Sequence, residues 1–118
     1  MHELAVCQGL IREVEAVARA HEAQSVVCIT VCVGPLSGIE PQLLESAFPL
    51  ASAGTGAARA RLIIECAPVK VRCPSCARES EVPSARLLCA QCGEWRVELL
   101  SGAELLLTRV ELSRRHDA

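Results

Sequence analysis

The sequence predicts an α+β fold: two helices packed on a three-stranded sheet, with a small cysteine-rich domain inserted before the last strand. Three observations predict it. Two stretches carry apolar residues at steps of three and four, three others are short and rich in β-branched or aliphatic residues, and four cysteines sit as two close pairs between the second and third of those strands. Two amphipathic helices cannot bury their stripes alone, so they are expected to cover one face of the sheet.

The first helix is read over 4–20, where Leu4, Cys7, Ile11, Val14 and Ala18 share a face and Arg12, Glu15 and Arg19 turn to water. A strand follows over 26–33, with Val27, Ile29, Val31 and Val33 on one side and Cys28, Thr30 and Cys32 on the other. Gly34-Pro35 ends it and Ser37-Gly38 continues the turn. Pro41 suits a first helical position, and Leu44, Ala47 and Phe48 form the buried stripe of the second helix. Pro49 removes a backbone bond and crowds the preceding turn, which predicts a kink or an early end there. A loop of small residues around Gly54 and Gly56 leads to a second strand over 61–69, and a third is read over 103–112 with Leu106, Val110 and Leu112 on one face. Residues 114–118 are read as a frayed tail.

The cysteine pairs are Cys73-Pro-Ser-Cys76 and Cys89-Ala-Gln-Cys92, spaced C-x2-C-x12-C-x2-C. That spacing is the signature of a closed tetrathiolate zinc site, because each pair wraps one edge of a tetrahedral ion and the loop brings the second pair opposite the first. The insert is therefore zinc-ribbon-like, with a structural Zn(2+) standing in for a core; four thiolates leave no open position for hydrolysis. Gly93, after the second pair, allows the positive φ that such turns need, whereas Ala77 holds the equivalent place after the first. Cys7, Cys28, Cys32 and Cys66 are read as buried thiols. The domain division is 1–69 with 99–118 for the larger unit and 70–98 for the zinc-binding insert.

Composition narrows the function classes. The chain has 118 residues, a formal net charge of −2 and only Phe48 and Trp95 as aromatic side chains, which weighs against a general nucleic-acid binder. No apolar run approaches the roughly 18 residues that span a bilayer. Eight cysteines without an export-type start predict metal binding in a reducing compartment, hence a cytoplasmic protein with no membrane partner. At the amino terminus, the Met1 amine, the His2 backbone nitrogen and the His2 imidazole can form fused chelate rings around one ion, a nitrogen-rich planar set suited to Ni(II) or Cu(II). Glu3 could add an oxygen or accept a hydrogen bond. The bland alternative is a solvated terminal histidine; His21 and His116 have no flanking ligand pattern and read as surface residues.

Met1-His2-Glu3-Leu4, the turn Gly34-Pro35-Leu36-Ser37-Gly38-Ile39-Glu40-Pro41, Ala47-Phe48, the paired C-x-x-C motifs and Ser101-Gly102-Ala103-Glu104-Leu105 together resemble the HypA/HybF family of hydrogenase nickel-incorporation proteins. The resemblance runs over essentially the whole chain in order. It implies a non-enzymatic nickel metallochaperone that carries Ni(2+) as transient cargo and keeps Zn(2+) as a structural ion. By that resemblance His2 is the nickel ligand, with the Met1 amine beside it and Glu3 accessory, and Cys73, Cys76, Cys89 and Cys92 hold zinc. The implied partners are a nickel-handling GTPase and the large subunit of [NiFe]-hydrogenase, with urease machinery served by some relatives. Pro49, Ala77 and the lack of a histidine beside the zinc cysteines depart from the family's pattern.

A small insert on two linkers also allows a domain-swapped homodimer. The rival reading is a zinc-ribbon module docking on nucleic acid or a transcription protein, supported by Lys70, Arg72, Arg78, Arg86 and Arg96 but diluted by Glu79, Glu81, Glu94 and Glu98. A third reading, a redox enzyme using its C-x-x-C pairs, lacks the strand-to-helix setting such motifs occupy.

Overall fold

The computed structural model describes residues 3–114, so Met1, His2, His116 and most of the expected tail lie outside the described residues. Helix α1 spans Glu3–Ala20 and buries Cys7, Ile11 and Val14, the centre of the expected stripe. It ends in a Schellman-type turn, with the Ala23 amide donating to the Ala18 carbonyl at 2.9 Å and Glu22 in the left-handed region at φ 53°. Strand β1 (Ser25–Val33) follows, then helix α2 (Pro41–Ser52) and strand β2 (Arg61–Cys66). Three short strands come next, β3 (Lys70–Arg72), β4 (Glu79–Glu81) and β5 (Glu98–Ser101), before β6 (Leu105–Ser113).

These strands form two sheets. In the first, β1 is central, parallel to β2 and antiparallel to β6. A parallel neighbour requires a crossover, and α2 supplies it. Both helices pack on one face of this sheet and on each other, around Cys7, Val14, Ile29, Val31, Leu44 and Phe48. The α+β expectation of two helices on a three-stranded sheet holds.

The face assignments within the sheet differ from strict alternation at two places. Between Val26 and Cys28 the β1–β6 ladder skips a residue on β1; between Thr30 and Val31 it skips one on β6, at Thr108. Val26, Ile29, Val31 and Val33 therefore face the core, and Val27, expected inside, is 49% exposed. On β6 the core residues are Leu105, Leu107, Val110 and Leu112, while Leu106, read from sequence on one face with Val110 and Leu112, is 51% exposed. A bulge inverts the parity of everything beyond it, which alternation alone cannot register. The Thr108 hydroxyl donates to the Thr30 carbonyl at 3.2 Å, tying the second bulge down.

Two other expectations change. Helix α2 does not stop at Pro49 but runs on to Ser52, because Leu44, Phe48 and Ser52 anchor it on both sides of the proline. Pro49 itself is exposed, as is Glu45, whose carbonyl it cannot supply with an amide. The second strand ends at Cys66, not Val69. Ala67 to Val69 form a crossing segment containing Pro68, which has no amide to contribute to a ladder, and the chain then enters the second sheet.

That second sheet has β3 in the centre, antiparallel to both β4 and β5. Only Val71 is buried in its three strands, too little for an independent core. Arg72, on the central strand, reaches Glu79 at 2.7 Å and Glu98 at 3.8 Å; these ion pairs are exposed and screened by solvent, so they contribute little to stability.

The chain enters and leaves the small sheet at one place. Ala67 donates its amide to the Val33 carbonyl at 3.1 Å, and the Ser101 hydroxyl donates to the Pro68 carbonyl at 2.8 Å. Beside them, the Gly34 amide donates to Glu104 at 2.8 Å and the Leu36 amide to the Gly102 carbonyl at 2.7 Å. A side chain at Gly34 would run into the Gly102 peptide, and Gly102, at φ 118°, is itself packed on Val69.

Candidate metal centre

The sulfur atoms of Cys73, Cys76, Cys89 and Cys92 all lie within 4.8 Å of one another. Cys73 and Cys92 are 3.5 Å apart, Cys76 and Cys89 3.6 Å. A tetrahedral ion with bonds of ~2.3 Å places its sulfurs ~3.8 Å apart, so the four donors fit one ion of zinc's size and softness. All eight cysteines are free thiols.

Two copies of one local turn build the cage. After the first pair, the Ala77 amide donates to Cys73 O at 2.8 Å and the Cys73 amide to Arg78 O at 3.0 Å; after the second, Gly93 donates to Cys89 O at 2.9 Å and Cys89 to Glu94 O at 2.9 Å. Each turn needs a left-handed residue at the same place, Ala77 at φ 62° and Gly93 at φ 76°. The first cysteine of each pair, Cys73 or Cys89, is buried, and the second, Cys76 or Cys92, is exposed.

Electrostatics set Cys89 apart from Cys92 and Cys76. The Cys92 amide, followed by that of Gln91, aims at the Cys89 sulfur and lowers its pKa to about 6 against the penalty of burial. At Cys92 the Glu94 amide acts in the same direction but is outweighed by the neighbouring sulfurs of Cys73 and Cys89 and by burial, which push the thiol up to about 12. Cys76 feels the Arg78 amide pulling it down, yet desolvation and the sulfurs of Cys89 and Cys73 leave it raised. Four negative sulfurs at this separation repel one another unless a cation sits among them. A divalent ion supplies that charge and displaces the remaining protons.

The four cysteines outside the cage have separate fates. Cys7 is buried and donates its thiol to the Leu44 carbonyl at 3.4 Å. Desolvation, then the charge of Glu3, raises its pKa, keeping it a neutral thiol. Cys28 is buried and Cys32 half-buried, but Cys66, expected to be buried, is exposed at the end of an edge strand.

Of the three amino-terminal residues singled out from sequence, Met1 and His2 lie outside the described residues and Glu3 opens α1. Glu3 Oε2 accepts a hydrogen bond from the Glu40 amide at 3.1 Å, joining the starts of both helices. Sequence reasoning missed this contact. Residues 37 positions apart carry no spacing signal, though the Gly-Pro-x-Ser-Gly cluster marked the intervening loop as sharply turned.

The basic residues behind the nucleic-acid reading are partly neutralised in place. Arg72 pairs with Glu79 and Glu98, and Arg96 pairs with Glu94 at 3.1 Å while lying over the Trp95 ring. Among the described residues, no helix is long and apolar enough to cross a membrane.

The profile of the family described as HypA, hydrogenase/urease nickel incorporation, metallochaperone, matches residues 1–112. A hydrogenase maturation factor HypA from Nitrosospira multiformis is 47% identical over 112 residues, covering 95% of this chain and 97% of its own. Its counterpart from Aquifex aeolicus is 40% identical over the same coverage. Among solved structures, the solution structure of a HypA protein aligns with TM-score 0.74 at 25% identity, covering 98% of each chain. The solution structure of the Ni metallochaperone HypA from Helicobacter pylori shares the fold with TM-score 0.70 at 24% identity, covering 98% of this chain and 100% of that one.

Proposed function

Because this chain belongs to the HypA family of hydrogenase/urease nickel-incorporation metallochaperones, we propose that it carries Ni(2+) on its amino terminus and keeps Zn(2+) in its four-sulfur cage. It is a nickel metallochaperone of hydrogenase maturation. The observation that carries the wider reading is the family match over residues 1–112, which spans the terminus and the cage together.

The two metals have opposite needs. Cys73, Cys76, Cys89 and Cys92 close a coordination sphere and leave no position for a substrate, so the cage keeps its ion and serves shape. Zinc there fixes two turns that the small sheet lacks the apolar area to hold. Cargo must leave. The Met1 amine and the His2 nitrogens form a ligand set open on one side, from which a recipient can take the ion one donor at a time. Glu3, at the start of α1, completes the amino-terminal group as an accessory.

The reading assigns the two tasks to the two sheets: the helix-covered sheet presents the nickel end, and the small sheet carries the zinc. The partners are a nickel-handling GTPase and the hydrogenase large subunit, with urease machinery as a further recipient and a homodimer as a further assembly. The protein acts in the cytoplasm, without catalysis of its own and without nucleic acid.

Isothermal titration of the zinc-loaded chain with Ni(2+) tests this. One site is expected in the native protein, lost in His2→Ala and retained in His21→Ala. A His2→Ala variant with native affinity would sink the terminal site. An extension before Met1 is expected to abolish tight binding, because it removes the free amine.

A further inference from the structure

We propose that the outer edge of β6, with the groove between it and α1, is a docking site for an extended segment of a partner protein. The segment carries aliphatic residues at alternate positions and a basic residue beside them. The proposal goes beyond the metal chemistry above and uses none of its assignments.

The sheet order β2-β1-β6 puts β6 at a border, and among the described residues no strand pairs with its outer side. The Gly34 amide donates to the Glu104 carbonyl, so in the antiparallel ladder Glu104 and Leu106 turn their backbone groups towards β1. Leu105 and Leu107 then turn theirs outward, where an added strand meets them. β6 contains neither proline nor lysine, two residues that commonly blunt such edges. The bulge at Thr108 bends the strand beyond this stretch and confines the pairing to 105–107.

A groove of about 320 Å³ runs along the same border. Val6, Gly9 and Leu10 of α1 form one wall, and Leu105 and Leu107 form the other. Gly9 makes the room. It sits in the interior of α1, where glycine weakens a helix, yet a Cβ built there meets nothing closer than Arg12 at 3.9 Å. Neither a positive φ nor a tight neighbour calls for glycine at this place, so what its missing side chain provides is the groove. Glu13, one turn beyond Gly9, also lines it, is exposed and forms no ion pair among the described residues.

These features specify the occupant. Outward amides and carbonyls favour an extended backbone, because a strand returns both kinds of hydrogen bond. Alternate side chains of that strand point to opposite faces. One set enters the groove beside Leu105 and Leu107, and the other lies over Leu106, which is 51% exposed on the far face of β6. A helix has its backbone groups already paired, and at ~10 Å across it is too broad for a space this small. The Glu13 carboxylate calls for a lysine or arginine next to the aliphatic positions.

Selection of a phage-displayed library of random decapeptides on the zinc-loaded full chain tests this. Enriched peptides are expected to alternate aliphatic residues and to carry a lysine or arginine. The most enriched peptide, synthesised and followed by fluorescence anisotropy, is expected to bind Gly9→Leu about tenfold more weakly, because the leucine takes the place of one aliphatic side chain. Glu13→Lys is expected to reverse the preference at the charged position, and N-methylation of the peptide amides that face β6 to abolish binding. Hydrogen exchange at the Leu105 and Leu107 amides is expected to slow in the complex. Zinc content and far-UV circular dichroism are expected to stay native in both variants; if Gly9→Leu does not fold, Glu13→Lys and the N-methylated peptide decide. Enriched peptides with apolar residues three and four apart, native affinity in Gly9→Leu, or unchanged exchange at Leu105 and Leu107 would each overturn the proposal, as would a library that yields no binder. Concentration-dependent pairing of the chain in sedimentation equilibrium, lost in Gly9→Leu, would assign the edge to a second copy instead.

Discussion

Ala77 and Gly93 occupy the same place in two copies of one turn, and an L-residue there is under strain. The left-handed region carries a penalty of about 1 kcal/mol for a side chain with a Cβ. Ala77→Gly is therefore expected to raise the stability of the zinc-loaded protein by about 1 kcal/mol in urea unfolding, and Gly93→Ala to lower it by about as much. The second change isolates backbone strain, because a Cβ at Gly93 meets nothing within 4 Å. The asymmetry of the thiols gives a pH dependence whose sign can be worked out. Without metal at neutral pH, Cys89 is already a thiolate at pKa about 6 while Cys92, at about 12, holds a proton that the ion must displace. As pH falls through 6, Cys89 also becomes protonated, so metal affinity is expected to fall more steeply with acid below that point than above it. Competition with a zinc chelator between pH 5 and 8 measures the slope; a constant slope across pH 6 would contradict it. At this scale the cage was legible, because its four donors sit in two short motifs, and so was the demand for a glycine-like residue after each pair. The Glu3–Glu40 contact was not, since it joins residues brought together only by the packing of two helices.

Among the elements, α2 offers the sharpest test. Pro49 cannot donate to the Glu45 carbonyl, yet the helix continues to Ser52. Pro49→Ala is expected to supply that bond and raise the melting temperature, a gain of about 1–2 kcal/mol, below the full proline penalty because the helix has already relaxed around the ring. An unchanged or lower melting temperature would show the proline to be favourable where it stands. The same helix shows why element limits are harder to read than element identity. Pro49 carries a local signal to stop, and the burial of Phe48 and Ser52 overrides it. In β1 and β6 the identity and order of the strands followed from composition, but Val27 and Leu106 were turned the wrong way. Each bulge consumes a residue without changing the local sequence character, so its position belongs to the pairing of two strands and is written in neither alone. Likewise the residues after Cys66 keep a strand-like composition, and only Pro68 hints that pairing stops.

At the level of the whole molecule, the two sheets are joined through one cluster of backbone contacts among segments 34–36, 67–69 and 101–104. With both crossings fixed there, the small sheet projects from the helix-covered one and the chain measures 61 × 27 × 16 Å. Its radius of gyration is 18.0 Å. A compact fold of 118 residues would have about 13.5 Å. Small-angle scattering of the zinc-loaded protein is expected to return a value near 18 Å, and a value near the compact one would mean that the sheets fold back on each other in solution. Gly34→Ala, which forces the junction apart, is expected to lower the unfolding midpoint by an overpacking penalty of about 1–3 kcal/mol. The elongated outline has a practical corollary for anyone purifying the protein. A rod-like particle tumbles and diffuses as if it were heavier, so on a sizing column a lone 12.6 kDa chain will elute early and mimic a pair. Stoichiometry should accordingly be judged by light scattering or sedimentation equilibrium, which weigh the particle irrespective of its outline.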